Sequence, residues 1–572
     1  MRRFIFLTLS AAAATLAAQA PRTLTTRSQP FTVVEATIRD MQRAMQDRRV
    51  TSHELVTQYL TRIAVYDKRI NAAIDISPRA LQEAGARDAE RAQGHVRGPL
   101  HGIPIALKDN IQMIDEPTTG GALAFANFRP PYDATLTKNL RDAGAIIIAK
   151  TVLTELANWV AGPPVLMPGT YSAVGNFAFN PYDPRPDPRD GTNDGRPALS
   201  TGGSSSGAGT AASFWAANVG TDTAGSVVNP AELTMLVGIR PTTGRISRRG
   251  IIPITLDQDT AGPMARTVAD AAILLGALES PSPDPADGAT TRCAPPAGRD
   301  YTKFLKTDGL RGARIGIPRA FYYERLTPPT ERAPRGGLTD SQARLMAYAI
   351  DVLKREGAIV VDPADLPSVV DPAPGGNVLL FDICSGINGE KGKDANCSVV
   401  LKYGMKRDFN AYLGTLGAAA PVRSLTDLRI FNLTHLRSNA IRYGQSNLDI
   451  SDEMDLRQDR QRYDTDRAKD VRLAGDRGLK AAIAGNKLDA LMFPGWNISN
   501  LAARPGYPAI TVPVGLVPAA PTTGRWPAGF DPRPAPYGAA FVGAPCGEPR
   551  LITVAYAFEQ ATKRRVPPPA TP

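Results

Sequence analysis

Three short stretches of this sequence carry residue types that can do chemistry. Gly202-Gly203-Ser204-Ser205-Ser206-Gly207 and Gly220-Thr221-Asp222-Thr223-Ala224-Gly225-Ser226 are small-residue turns bearing serine. Gly102-Ile103-Pro104-Ile105-Ala106-Leu107 is an apolar run that ends at Lys108. Glycine and serine are common turn residues, so either turn alone would be ordinary. Serine is a weak nucleophile until a neighbouring base takes its proton. The usual base is histidine, and the chain has four: His53, His95, His101 and His435. Gly203 to Gly207 matches the GxSxG nucleophile-elbow pattern with Ser205 as nominal nucleophile, and His435 is its one well-placed downstream partner. That elbow must follow a strand, whereas Asp194-Gly195-Arg196-Pro197-Ala198 is no core strand. A lysine base is the alternative, either Lys108 or Lys150, which also ends an apolar run.

Elements that could hold these residues follow from the patterning. Phe31 to about Gly94 reads helical: Thr51-Ser52-His53-Glu54 has capping-box form, and Leu55, Tyr59, Leu60, Ile63 and Tyr66 recur at helical spacing. The run from Gly102 is too short for a helix and bounded by glycine, which predicts a strand ending at Lys108. Leu136 to Ala143 then reads as a helix stopped by Gly144, and Ala145 to Ala149 as a second strand ending at Lys150. Helix followed by strand implies an α/β layer. The prolines between Phe179 and Thr201 predict a surface loop, and Ala208 to Val219 reads as helix.

At this point the chain resembles the amidase signature enzymes. The resemblance rests on Gly102 to Asn110, on Gly202 to Gly207 and on Gly220 to Ser226, in the family's order. Ala261 to Asp270, Gly312 to Pro318 and Gly506 to Pro513 add further matches, and coverage runs over about 32–560. The resemblance implies one large domain over 32–560, a mixed central β-sheet sandwiched between helical layers. It also implies hydrolysis of a carboxamide, on a small molecule or at a peptide C-terminus, through an acyl-enzyme. Carried over by position, the family's Ser, cis-Ser, Lys triad falls on Ser226, Ser204 and Lys108, with Gly202, Gly203 and Ser205 supporting the middle serine. The backbone amides of Thr223, Ala224, Gly225 and Ser226 would form the oxyanion hole.

The lysine must be neutral to act as base. At a reference pKa of ~10.4, about one lysine in a thousand is neutral near pH 7.4, so roughly 4 kcal/mol must come from its surroundings. Burial supplies it, and Ile103 to Leu107 is the kind of strand that carries Lys108 into a core. Strand alternation should turn Asp109 away from Lys108. Family position selects Lys108 over Lys150. Three departures bear on the site. Ala224 replaces a family glycine, Val227-Val228-Asn229 differ from the commoner residues after the nucleophile, and Ser204 to Ser226 is about two residues shorter than usual. Were Ala208 to Val219 one helix, that loss would rotate its end by roughly 200° and part the two serines. A non-catalytic binding protein on the same scaffold is therefore the competing expectation.

Composition sets the remaining bounds. With 572 residues, 43% hydrophobic and 21% charged, the chain is neither disordered nor fibrous. Length alone suggests about four domains at ~150 residues each, a count the family coverage replaces. The net charge of +11 is scattered as single arginines among aspartates, as in Arg185 to Arg196, so no nucleic-acid partner is expected. Arg2 and Arg3, an apolar run to Ala18, and Ala18-Gln19-Ala20 predict a cleaved signal peptide over 1–20 and an exported, periplasmic or secreted, protein. That location would also separate the chain from tRNA and so from the family's amidotransferase role. The apolar run is shorter than the ~20 residues of a membrane span and no later stretch reaches that length, so no stable span is expected after cleavage. Four cysteines, Cys293, Cys384, Cys397 and Cys546, allow three pairings, with Cys384 and Cys397 closing the shortest loop. No HExxH or zinc-type spacing is present, and no metal or cofactor is expected. Residues 561–572 read as a mobile tail.

Overall fold

Two capped helices open the described chain. In α1 (Ile38–Gln46) and α2 (Ser52–Ile70), Thr37 and Thr51 close capping boxes with Asp40 and Glu54, satisfying amides the helix cannot. Helix α2 buries Leu55, Val56, Tyr59, Ile63 and Ile70 on one face. It ends where Asn71 turns left-handed, and the chain then forms an edge strand, β1 (Ala73–Ile76), before α3 (Ala80–Ala92). The predicted helical stretch is thus interrupted, because Asn71 tolerates the conformation that stops a helix. The computed structural model describes residues 30–189, 194–203, 206–386, 395–521 and 524–572; the predicted signal peptide, Ser204 and Ser205 lie outside them. Thr32–Pro572 forms one compact unit.

The predicted strands at the site are present: β2 (Pro104–Lys108) and β3 (Ile146–Thr151) are buried along their whole length, on either side of α4 (Thr135–Asp142). Gly144 ends that helix at φ +80, and a Cβ there would lie 2.9 Å from the His101 ring. The stretch predicted as helix over Ala208 to Val219 is corrected. Helix α5 is only Gly207–Ala211, and after a left-handed Ser213 the chain becomes strand β4 (Ala217–Asp222). Two tertiary effects override helix propensity here. Trp215 is fully buried with its indole N–H on Thr210 Oγ1 at 2.7 Å, and β4 is claimed by ladders on both edges.

Helix α6 (Val228–Leu233) leads to β5 (Val237–Arg240), and β6 (Thr260–Ala265) is followed by α7 (Val268–Leu278). Strands β7 (Arg314–Gly316) and β8 (Ile359–Val361) form the far edge, joined to the centre by β9 (Ala490–Pro494), β10 (Ala509–Val517) and β11 (Ala535–Val542). All eleven make one sheet in the order β1-β3-β2-β4-β6-β5-β10-β11-β9-β7-β8. Its pairing is mixed, with β2 parallel to both neighbours and β4 antiparallel to β6, and helices flank it. Because β2 and β4 are parallel, with Leu107 level with Val219, their carboxyl ends open side by side. No helix among the described residues is long and apolar enough to cross a membrane.

All four cysteines are bonded, Cys384 to Cys397 and Cys293 to Cys546. The C-terminal segment is not the loose tail its composition suggested. Beyond the last helix, Glu548–Thr562, Arg565 pairs with Glu35 at 2.7 Å and donates to the Met235 and Ala211 carbonyls. The Tyr182 hydroxyl donates to the Val566 carbonyl, Arg62 holds the carbonyls of Thr571 and Pro572, and Thr571 is buried. The Lys563-Arg564-Arg565 run should therefore resist trypsin in the native protein. Arg565→Ala should make it a rapid cleavage site, read by intact mass over a digestion time course; equal rates in both proteins would contradict the packing.

Candidate active site

Lys108 ends β2 with its side chain fully buried. Its Nζ donates to Thr221 Oγ1 at 2.8 Å and to the Thr221 carbonyl at 3.3 Å, on the adjacent strand. Asn110 Nδ2 donates to the same hydroxyl at 3.0 Å. Among the described residues no carboxylate lies within ion-pairing distance of this ammonium. Desolvation therefore dominates and lowers Lys108 to about 7, against a smaller opposing pull from Asp222 and Asp259. Near pH 7 about half the molecules then carry a neutral amine, against about one in three thousand for an exposed lysine.

Lys150, next to last in the neighbouring strand, is equally buried, but it has a partner. Its Nζ sits 2.8 Å from Asp109 Oδ1 and donates to the Pro117 carbonyl and Thr118 Oγ1 at 3.1 and 3.0 Å. Asp109 also accepts from the Thr119 amide at 3.1 Å. Strand alternation has sent Asp109 away from Lys108, as expected, and into a pair with the other lysine.

The second turn is built around a buried carboxylate. Asp222, the last residue of β4, accepts from the amides of Gly225 and Val227, both at 2.8 Å, and from Arg240 Nη1 at 2.6 Å. Arg240 is itself fully buried at the end of β5; it also donates to the Asp222 and Gln258 carbonyls at 2.9 and 2.8 Å and to Thr243 Oγ1 at 3.1 Å. Gly225 adopts φ +129 with the side chain of Ser499 against its Cα, where a Cβ would come within 2.9 Å. Ala224 keeps a negative φ, so the turn does not require glycine's backbone freedom at this position. One expected oxyanion donor must be withdrawn: the Gly225 amide is already committed to Asp222. Among the described residues the amides of Thr223, Ala224 and Ser226 bond to nothing else, and these three remain available to a substrate oxyanion.

The two serine turns meet. A Cβ built on Gly203 would lie 3.2 Å from Ser226 Oγ, so the backbone leading into Ser204 runs beside the Ser226 hydroxyl. Asn229 fastens this approach, its Oδ1 accepting from the Gly203 amide at 3.2 Å. Gly202, at φ +82, leaves room for it where a Cβ would sit 2.4 Å from the same oxygen. Between the serines stand only the short α5 and strand β4, so there is no long helix for the shorter spacing to rotate. Ser204, its expected cis peptide, and Ser205 fall outside the described residues. His435, the candidate base for Ser205, stacks on Phe431 at 3.9 Å with its Nδ1 2.8 Å from that residue's carbonyl. Among the described residues it touches neither serine turn. Residues 194–203 also contain no strand to precede a nucleophile elbow.

Sequence reasoning passed over Thr221, Asp222 and Arg240. The one available signal was an arginine ending the otherwise apolar strand Val237-Gly238-Ile239-Arg240, beside an aspartate inside the serine motif.

A family model described as Amidase matches residues 54–371. The chain belongs to the amidase family. The amidase is 33% identical over 550 residues to a probable amidase of Arabidopsis thaliana, covering 95% of this chain and 93% of that one. Against the solved peptide amidase of Stenotrophomonas maltophilia the TM-score is 0.76 at 37% identity, covering 93% of this chain and 98% of the other. A glutamyl-tRNA(Gln) amidotransferase subunit of Chloroflexus aurantiacus is 39% identical over 327 residues, 57% of this chain and 60% of that protein. The amidase is thus a hydrolase acting on amide C–N bonds.

Two outcomes follow from this geometry. If neutral Lys108 is the base, kcat/KM rises with pH through a half-point near 7 and levels above it, because the protonated amine cannot accept. Asp259, which burial also pushes up to about 7, is separated by Asp259→Asn: the limb should persist and move to lower pH, since one carboxylate favouring the charged lysine is gone. Arg240→Met leaves Asp222 buried without its partner and should lower unfolding stability by about 3–5 kcal/mol, measured by denaturant titration; wild-type stability would show that the pair does not anchor the turn.

Proposed function

We propose that this amidase hydrolyses a carboxamide, on a small molecule or at a peptide C-terminus, to the carboxylate and ammonia or an amine through an acyl-enzyme on Ser226. The observation that carries the reading is a fully buried lysine lowered to about 7, on the strand beside the one that ends in the nucleophile turn. Ser226 Oγ attacks the carbonyl carbon while its proton passes to Ser204 and that of Ser204 to neutral Lys108 Nζ. The resulting oxyanion is held by the free amides of the turn. Collapse breaks the C–N bond as the relay runs backwards to protonate the leaving nitrogen. Water then repeats the attack on the acyl-enzyme, releasing the carboxylate and restoring Ser226.

The likeness to a peptide amidase over most of both chains favours an amide or peptide substrate over the amidotransferase role, whose relative matches about three fifths of its own length. We also propose that the protein works in an exported compartment. The predicted signal sequence and the pairing of all four cysteines support this, since disulfides persist where the surroundings are oxidising.

A fluorophosphonate probe should add one adduct to the intact mass of the wild type and none to Ser226→Ala. Amide turnover should fall at least a thousandfold in Ser226→Ala. Absence of labelling in the wild type would favour a non-catalytic binding protein on the same scaffold, and labelling that survives Ser226→Ala would move the nucleophile elsewhere.

A further inference from the structure

Beside the two serine turns lies a cavity of about 610 Å³. Ser200, which accepts from the Gly202 amide at 3.0 Å, forms one part of its wall. Trp496, packed 3.7 Å from the Cβ position of Gly225, forms another. The cavity thus borders residues that pack directly on both serine turns. The wall also contains two buried polar groups that the hydrolytic mechanism does not use. Glu232 lies on α6, six residues beyond Ser226, and is 3% exposed; Tyr537 lies on β11 and is 6% exposed. Among the described residues Glu232 Oε2 and the Tyr537 hydroxyl have no hydrogen-bond partner.

The two groups are neighbours that both border the space a side chain at Gly495 would fill. A Cβ there would lie 2.9 Å from Glu232 Oε1 and 3.3 Å from the Tyr537 ring. Gly495 adopts φ +59, a conformation that itself favours glycine. The other ionised groups of the wall are already neutralised: Arg189 pairs with Asp187 and Arg196 with Asp194, each at 2.6 Å. Glu232 has no such cation among the described residues. A buried acid with an unsatisfied oxygen is costly to maintain unless a ligand completes it.

We propose that Glu232, assisted by the Tyr537 hydroxyl and the face of Trp496, is a specificity determinant that selects amide substrates carrying a protonated amine. The inference rests on the hydrolytic reading above and names its substrate class. An alkylammonium supplies three donors and a positive charge, matching an acceptor-rich corner lined by an indole that attracts cations. Burial raises Glu232 to about 8, so the acid is mostly neutral near pH 7, against a smaller opposing effect of the Gly538 and Trp496 amides. An arriving ammonium favours the carboxylate, whose proton leaves to solvent, and a buried charge pair results. The amine can be the α-amino group of the substrate or the end of its side chain; the chemistry at Glu232 is the same.

The test compares matched amides. Leucinamide against N-acetylleucinamide reads an α-ammonium, and N-acetyl-lysinamide against N-acetyl-norleucinamide reads one on the side chain. In the wild type one of these pairs should favour the amine by about tenfold or more in kcat/KM, expressed mainly in KM. Glu232→Gln, of the same shape, should bring that ratio to near one, and Glu232→Asp should restore part of it. No preference in either pair, or a preference that survives Glu232→Gln in a folded variant, overturns the proposal. Calorimetric binding of the same four amides to Ser226→Ala reads recognition without turnover, so a failure of the hydrolytic reading is seen separately from a failure of amine selection.

Discussion

The carboxylate of Asp222 is the point on which the site is suspended. A strand running up the middle of the sheet must stop, reverse and present a hydroxyl to solvent within four residues, and the peptide groups in that reversal lose their ladder partners. Asp222 answers two of them, at Gly225 and Val227, while Arg240 from the end of β5 balances its charge and fastens its own carbonyl. Neither group is exposed, so the pair is tolerable only because its hydrogen bonds are made on both sides. The same commitment removes one amide of the turn from any other partner. The carboxylate takes the Gly225 donor into the frame of the turn.

Lys108 and Lys150 show how little of a side chain's chemistry resides in its type. Both lie at the ends of parallel, fully buried strands of one sheet, one register step apart. Lys150 meets a carboxylate at 2.8 Å and two further acceptors. Lys108 meets a hydroxyl and a carbonyl, which solvate an amine without balancing a charge, and desolvation lowers it to about 7. The residue that separates the two outcomes is Asp109, one step beyond Lys108 and turned to the opposite face.

Much of the local structure was legible. The capping box at Thr51, the strands ending at Lys108 and Lys150 and the helix stopped by Gly144 are written in neighbouring residues, and they stand where the spacing puts them. The misread segments share a cause. Ala208 to Val219 has helix-compatible composition, yet its second half is taken by two neighbouring strands and the burial of Trp215. Residues 561–572 look mobile because they are basic and proline-rich, but Glu35, Met235 and Tyr182, distant in sequence, hold the part around Arg565 and Val566. In each case a partner far along the chain outweighed local preference.

The sequence by itself determined the family, the α/β architecture and the candidate residues Lys108, Ser204 and Ser226, because motif order and periodicity are properties of adjacent residues. Tertiary structure decided which lysine is buried without a carboxylate partner, which turn amide is committed to Asp222, how Asn229 fastens Gly203 beside Ser226, and that Glu232 is left facing a cavity. Each of these depends on desolvation and on partners drawn from several strands at once. Such sums over space have no counterpart in the spacing of a chain.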